Sequence, residues 1–231
     1  MLALNRAAAA AALALSSVVM SADAAVVLQP GPETAKDSFV YQFLPGFNFN
    51  GAGWNHLLAT GATNSGHNLE GLIAFDLTGV TLAPDERATL NLYAVDTNAT
   101  GFGVSPTPAA PIVADLHAAT SNWDPATVTW ATKPTYGPLA DSLTVSGVNQ
   151  WISFDVTEEV SAWLANPSSN FGFVVRQNAP VDNNGRVMGV YQASGAPANR
   201  PYLEIAPIPE PASLAGVVAA FGLLLRRRRS A

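Results

Sequence analysis

A chain of 231 residues with 11 Lys+Arg, 17 Asp+Glu and no cysteine carries a formal charge of −6, and only 12% of its residues are charged. These values exclude a nucleic-acid grip built on a basic surface, a disulfide-stapled miniprotein, a thiolate metal centre and a thiol nucleophile. An apolar share of 48% at this length is that of a folded domain with a real core.

The first 25 residues read as a secretory signal peptide. Arg6 supplies a short positive region, Ala7 to Val19 an apolar stretch, and Ala22-Asp23-Ala24 a small-x-small cleavage site. From Val26 to Ala206 the chain is a series of short β-like runs separated by Gly, Pro, Asn and Asp clusters, the spacing of a sandwich. Asp37 to Phe43 is the first predicted strand. In Leu69 to Leu77 the alternation puts Leu69, Gly71, Ile73, Phe75 and Leu77 on one face, and Glu70, Ala74 and Asp76 on the other. Ala88, Leu90, Leu92 and Ala94 are expected inward, with Thr89, Asn91 and Tyr93 outward. Strands are also predicted at Ile112 to Ala118 and Thr127 to Trp130. Ile152, Phe154 and Val156 then alternate with Trp151, Ser153 and Asp155. One helix follows, with Thr157 as the capping hydroxyl, Glu158 and Glu159 in the first turn, and Val160, Trp163 and Leu164 on the apolar side; Asn166-Pro167 ends it. Phe171, Phe173 and Val175 resume the alternation, and Arg186 to Gln192 and Tyr202 to Ile205 complete the set. The expected architecture is all-β: a single antiparallel β-sandwich, jelly-roll-like, with one short helix.

A second apolar run, Ala212 to Leu225, follows Pro209-Glu210-Pro211 and abuts Arg226, Arg227, Arg228 and Arg229. Its 14 residues span about 21 Å as a helix, short of the ~30 Å of a bilayer's hydrocarbon, so it is a marginal anchor. The arginines hold its C-terminal end in the cytoplasm and leave the preceding domain outside. This order of Pro-Glu-Pro, short apolar helix and terminal arginines resembles the PEP-CTERM sorting signal of Gram-negative bacteria. The resemblance, over residues 207–231, implies export, a transient inner-membrane stage, and processing by an exosortase near Pro209 to Pro211. The destination it implies is the cell surface or the extracellular matrix.

Seven ordered segments in residues 26–206 resemble the DNRLRE-type domain, a secreted β-sandwich grouped with carbohydrate-binding modules. They are Asn48-Phe49-Asn50-Gly51 running into Leu57-Leu58-Ala59-Thr60-Gly61, Leu72 to Leu77, Ala88 to Tyr93, Trp123 to Pro134, Phe154 to Thr157 with Ala162-Trp163-Leu164, Phe171-Gly172-Phe173, and Arg200 to Leu203. The chain departs from the pattern at Ala74, where members often carry arginine.

Catalytic signatures are missing: there is no Gly-x-Ser-x-Gly, no phosphate-binding loop, and His56, His67 and His117 lack metal-ligand spacing. Asp76 and Asp155 each sit in a Phe-Asp-(Leu/Val)-Thr pattern, where an outward carboxylate serves a turn or a cap. Structural calcium is the one ionic candidate, with Asp37, Asn48 and Asn50 near the first strand, or Asp182, Asn183 and Asn184 before Gly185, where a plain hairpin turn is the stronger reading. A sandwich binds sugar through exposed aromatic rings flanked by polar groups. Trp54, beside Asn55 in a Gly-rich segment, either presents its ring or closes the core; Tyr93 and Trp151 lie on predicted outward faces, with Tyr136 in a Pro/Gly loop. Trp123, Trp130 and Trp163 are expected in the core.

The expected function is that of a non-enzymatic, exported surface or matrix protein that associates with exopolysaccharide. Its rivals are a structural matrix protein without a saccharide site and a polysaccharide lyase or hydrolase. Residues 26–206 hold 6 Lys+Arg against 15 Asp+Glu, a net −9, so an anionic polysaccharide would need a bridging cation.

Overall fold

The computed structural model describes residues 24–50, 57–97, 103–178, 186–191 and 196–209. Within them the strands are β1 (Val26–Leu28), β2 (Lys36–Tyr41), β3 (Leu57–Ala62), β4 (Asn68–Ala74), β5 (Glu86–Val95), β6 (Ile112–Ala119), β7 (Tyr136–Val145), β8 (Gln150–Asp155), β9 (Phe173–Gln177), β10 (Val187–Tyr191) and β11 (Tyr202–Pro207). The helix α1 (Thr157–Ala165) follows β8. The named strands pair antiparallel along the path β1-β11-β5-β10-β3-β4-β9-β6-β7, with β2 on the other edge of β4 and β8 on the other edge of β5. The ladder curls until β8, β5 and β11 face β4, β9 and β6, giving the all-β sandwich that the alternation foretold.

Its core follows from that alternation. Ala88, Leu90, Leu92 and Ala94 of β5, Ile152 and Phe154 of β8, and Leu203 and Ile205 of β11 meet Ile73, Phe173, Val175, Ala114 and Leu116 from the facing layer. The helix closes one end, where the rings of Trp163 and Phe173 lie 4.7 Å apart. Burying side chains of this size supplies most of the driving force, at about 25 cal/mol per Å² of apolar surface.

Several expectations change. Glu70 and Ala74, expected on an outward face, are buried, because Trp123, Val128 and the half-buried Trp130 pack over Val40, Leu72, Ala74 and Val174. Alternation distinguishes two faces of a strand; it does not say whether the second is covered. Thr127 to Trp130 is not a strand. Asp124 turns the chain by accepting the Ala126 N–H at 2.8 Å, and a 3₁₀ turn, Trp130–Thr132, follows. Thr157 is the first helical residue and not the cap: its N–H and hydroxyl both donate to the Asp155 carboxylate, at 3.1 and 2.6 Å. Asp76 repeats the device with Thr78, at 2.9 and 2.6 Å. In both Phe-Asp-x-Thr segments, therefore, the carboxylate serves a turn.

Tyr136 opens β7 and is no loop residue. β7 tolerates Pro138 where the pairing with β6 slips, His117 facing Leu139 and Ala119 facing Tyr136. Residues 1–23 of the predicted signal peptide, the run 212–225, Glu210, Pro211 and Arg226 to Arg229 lie outside the described residues; Pro209 is the last described position. Among the described residues no helix is long and apolar enough to cross a membrane.

Candidate functional site

The outer face of the β8-β5-β11 layer brings together residues from three distant segments. Pairing sets Tyr93 opposite Trp151, Asn91 opposite both Ser153 and Tyr202, and Thr89 opposite both Asp155 and Glu204. Trp151 stands between two tyrosines, its ring 5.3 Å from Tyr93 and 5.0 Å from Tyr202, each pair edge to face. It is 38% exposed, so the ring reaches solvent although two neighbours hold it in place. The next row is polar: Ser153 donates to Asn91 Oδ1 at 2.6 Å, and the Asn91 amide donates to the Thr89 carbonyl at 3.2 Å. The Tyr202 hydroxyl titrates above its ordinary value, through burial first and then the charge of Glu204. Tyr93 and Trp151, both singled out in the sequence, are thus neighbours. Tyr202 was missed, although Tyr202 and Glu204 alternate with the apolar Leu203 and Ile205 and so declare an outward face.

Further along the same face lies a cavity of about 440 Å³ lined in part by Asp141, Asp155, Glu158, Glu159 and Arg87. Arg87 Nε is 3.3 Å from Asp155 Oδ2, and both side chains are half exposed, so this pair contributes under about 1 kcal/mol. Asp141 accepts the backbone N–H groups of Ser142 and Asp155, at 2.7 and 2.8 Å. Burial, then the nearby charges of Glu158, Asp155 and Asp141, push the Glu159 carboxyl above its ordinary value, against a smaller lowering by its own backbone.

The other predicted positions are dispersed. Trp54 and Asn55 lie outside the described residues, as do Asp182, Asn183 and Asn184. Of the calcium candidates, Asp37 is buried in β2 opposite Ile73, Asn50 is half-buried, and Asn48 uses its amide to tie down the carbonyls of Pro125 and Val128 at 2.9 and 2.6 Å. Among the described residues no three His, Asp or Glu side chains converge as metal ligands. Ala74 pairs with Lys36, and both line a second cavity of about 620 Å³ with Asp76, Trp163 and Asn170. Lys36 donates to Asn122 at 3.0 Å and lies 4.8 Å from the centre of the Trp123 ring; burial lowers its pKa, with an opposing contribution from Asp124.

The outer face of the opposite layer carries charge that sequence reasoning did not find. Glu70 is bonded by Lys133 and lies 3.8 Å from Arg176 Nε; Lys133 sits 3.8 Å from the centre of the Trp130 ring. Each partner comes from a different segment, so sequence spacing gives no signal of their meeting.

The model of carbohydrate-binding module family 96 matches residues 33–207. The chain is also 36% identical over 91 residues to the tRNA nuclease WapA of Bacillus subtilis (strain 168) and to the tRNA(Glu)-specific nuclease WapA of Bacillus subtilis subsp. natto. Those alignments cover 39% of this chain and 4% of each relative, so the chain spans only a small part of these curated proteins.

Proposed function

We propose that this chain, which belongs to carbohydrate-binding module family 96, is a non-enzymatic exported protein that binds extracellular polysaccharide on its β8-β5-β11 face. The observation that carries the reading is the solvent-reaching Trp151 ring held between Tyr93 and Tyr202, with the exposed hydroxyl of Ser153 in the next row, fixed from below by the buried Asn91. A pyranose stacks its C–H face on such a ring while its hydroxyls exchange hydrogen bonds with the polar row. Single sites of this kind are weak, and many copies on a surface multiply their hold on a polymer. A structural building block without a saccharide site would have Trp54, Trp151 and Tyr93 all buried or dispersed. Tyr93 and Trp151 are adjacent, which favours the binding reading.

Affinity electrophoresis of the full chain through gels holding the exopolysaccharide of its own cells tests this. Trp151→Ala is expected to weaken retardation about tenfold, the loss of roughly 1.4 kcal/mol that an anchoring aromatic carries. Absence of retardation of the unaltered chain by any exopolysaccharide sinks the reading.

The proposed route to that surface is secretion by the residue 1–25 signal, a transient inner-membrane stage and exosortase processing at the Pro209-Glu210-Pro211 segment. The support is the three-part order of that segment, the apolar run and Arg226 to Arg229. Mass spectrometry of the protein recovered from its own cells is expected to give a C-terminus near Pro209 to Pro211. A recovered chain still ending in the arginines rules the processing out.

A further inference from the structure

We infer that the polysaccharide taken up by this face carries free amino groups, with Glu204 and the carboxylates near the start of α1 selecting for them. The inference rests on the saccharide reading above and adds the chemical class of the ligand.

The argument starts from register. Residues two apart on one face of a strand are about 6.8 Å apart. Along β11 that step leads from Tyr202 to Glu204, and along β8 two such steps lead from Trp151 through Ser153 to Asp155. A polymer stacked on Trp151 and lying along the strands therefore passes first over Ser153 and Tyr202, on either side of the buried Asn91. It next crosses the row of Glu204, Thr89 and Asp155, and reaches the cavity where Asp141, Glu158 and Glu159 stand.

Charge along that track is one-sided. Four carboxylates line the cavity against the single guanidinium of Arg87, which is already engaged with Asp155. Glu204 adds another carboxylate, and its charge, after burial, helps to raise the Tyr202 hydroxyl beside the Trp151 ring. Arg200 precedes Tyr202 by two residues whereas Glu204 follows it by two, so this cation belongs to the aromatic end of the track and not to its carboxylate half. Uronate or sulfate groups on the polymer would meet repulsion over the carboxylate half; ammonium groups would meet attraction.

The carboxylates are spread out and not focused. No three of them converge as ligands for a single ion among the described residues. A cation that answers such a row is a series of separated charges, and that is what amino groups repeated along a polymer provide. The Glu159 carboxyl, raised first by burial and then by the charges of Glu158, Asp155 and Asp141, stands among these carboxylates, where a bound ammonium would offset their repulsion. Exposed ammonium–carboxylate contacts are individually weak, so two or three together give roughly a tenfold preference that salt weakens.

The test is titration of the full chain with β-1,4-linked glucosamine oligomers at a pH where their amines are protonated. Fully N-acetylated oligomers and uronic-acid oligomers of the same length are run beside them. The expected result is about tenfold tighter binding of the amino form than of the acetylated form, with the ratio falling toward one at high salt. In Glu204→Gln combined with Glu158→Gln the ratio should fall toward one as well. Equal affinity for the amino and acetylated forms, or tighter binding of the uronic-acid oligomers, overturns the inference. If none of the three binds while the cells' own exopolysaccharide still retards the chain, the amine selectivity fails alone. If the exopolysaccharide fails too, the saccharide reading fails with it.

Discussion

Gly172→Ala is expected to cost the domain roughly 3–5 kcal/mol, a large part of the 5–15 kcal/mol that holds a typical domain folded. Gly172 leads into β9 with φ +84°, a conformation that costs an L-residue about 1–2 kcal/mol. The larger contribution is contact. A Cβ built there falls 2.4 Å from Ala74 Cβ and 2.4 Å from the Ile73 carbonyl oxygen. These atoms belong to β4, which pairs with β9 through Ile73 and Phe173, and the Gly172 carbonyl also accepts the Ala119 N–H at 2.8 Å. The crowded atoms are backbone and Cβ, with no flexible side chain to swing aside, so relief requires parting β4 from β9 at the centre of the sandwich. For a domain of this size the melting temperature should drop by roughly 10 °C or more. Gly66→Ala is the control. Its φ of +81° is similar, but nothing lies within 4 Å of the added Cβ, so it should show the conformational cost alone. Equal melting temperatures for the two variants would remove the packing argument.

The comparison of Gly172 with Gly66 also shows what a sequence withholds. Phe171-Gly172-Phe173 reads as alternation interrupted by a glycine; that the glycine is pressed against β4 is a fact of long-range pairing. Where one face of a strand is buried and the other wet, alternation sufficed: Leu90 and Leu92 are buried against Phe154, while Tyr93 and Trp151 lie together outside. Where both faces are covered, it misled, as at Glu70 and Ala74. Part of the covering segment, Thr127 to Trp130, was itself read as a strand, because Thr-Val-Thr-Trp has β-propensity and the Asp124 turn that prevents it is set by a side-chain hydrogen bond. The site was legible by half. Tyr93 and Trp151 declare themselves within single strands, whereas the third ring, Tyr202, arrives from β11 through pairing with β5.

The same covered face yields the second large effect: Glu70→Ala is expected to cost about 3 kcal/mol. The Glu70 side chain is only 4% exposed, while Lys133 and Arg176 beside it are 20% and 31% exposed. Removing a partner from a fully buried ion pair costs about 3–5 kcal/mol, because the remaining charge is left in a poor solvent. Here the two remaining cations can turn partly to water, which puts the expected value at the lower end. Lys133→Met should cost less than half as much. It keeps an unbranched stem over the Trp130 ring and leaves Arg176 beside the carboxylate. Urea unfolding of the two single variants and the double variant measures the coupling, expected at 1 kcal/mol or more; additive effects would mean that the pair is no more than a neighbourly contact. Pairing extends the charged row across the layer, since Arg176 faces Asp115 and Asp115 faces Ser142, whose hydroxyl donates to it at 2.7 Å. A slip of β4 by one residue would carry Glu70 to the face now occupied by Leu69 and Gly71, against the apolar core. The row thus penalises wrong registers of β4, β9 and β6 more than it stabilises the right one. Because it lies on the layer opposite Trp151, Lys133→Met should leave polysaccharide retardation unchanged while lowering the urea midpoint. A parallel loss of retardation would place the ligand on this face instead.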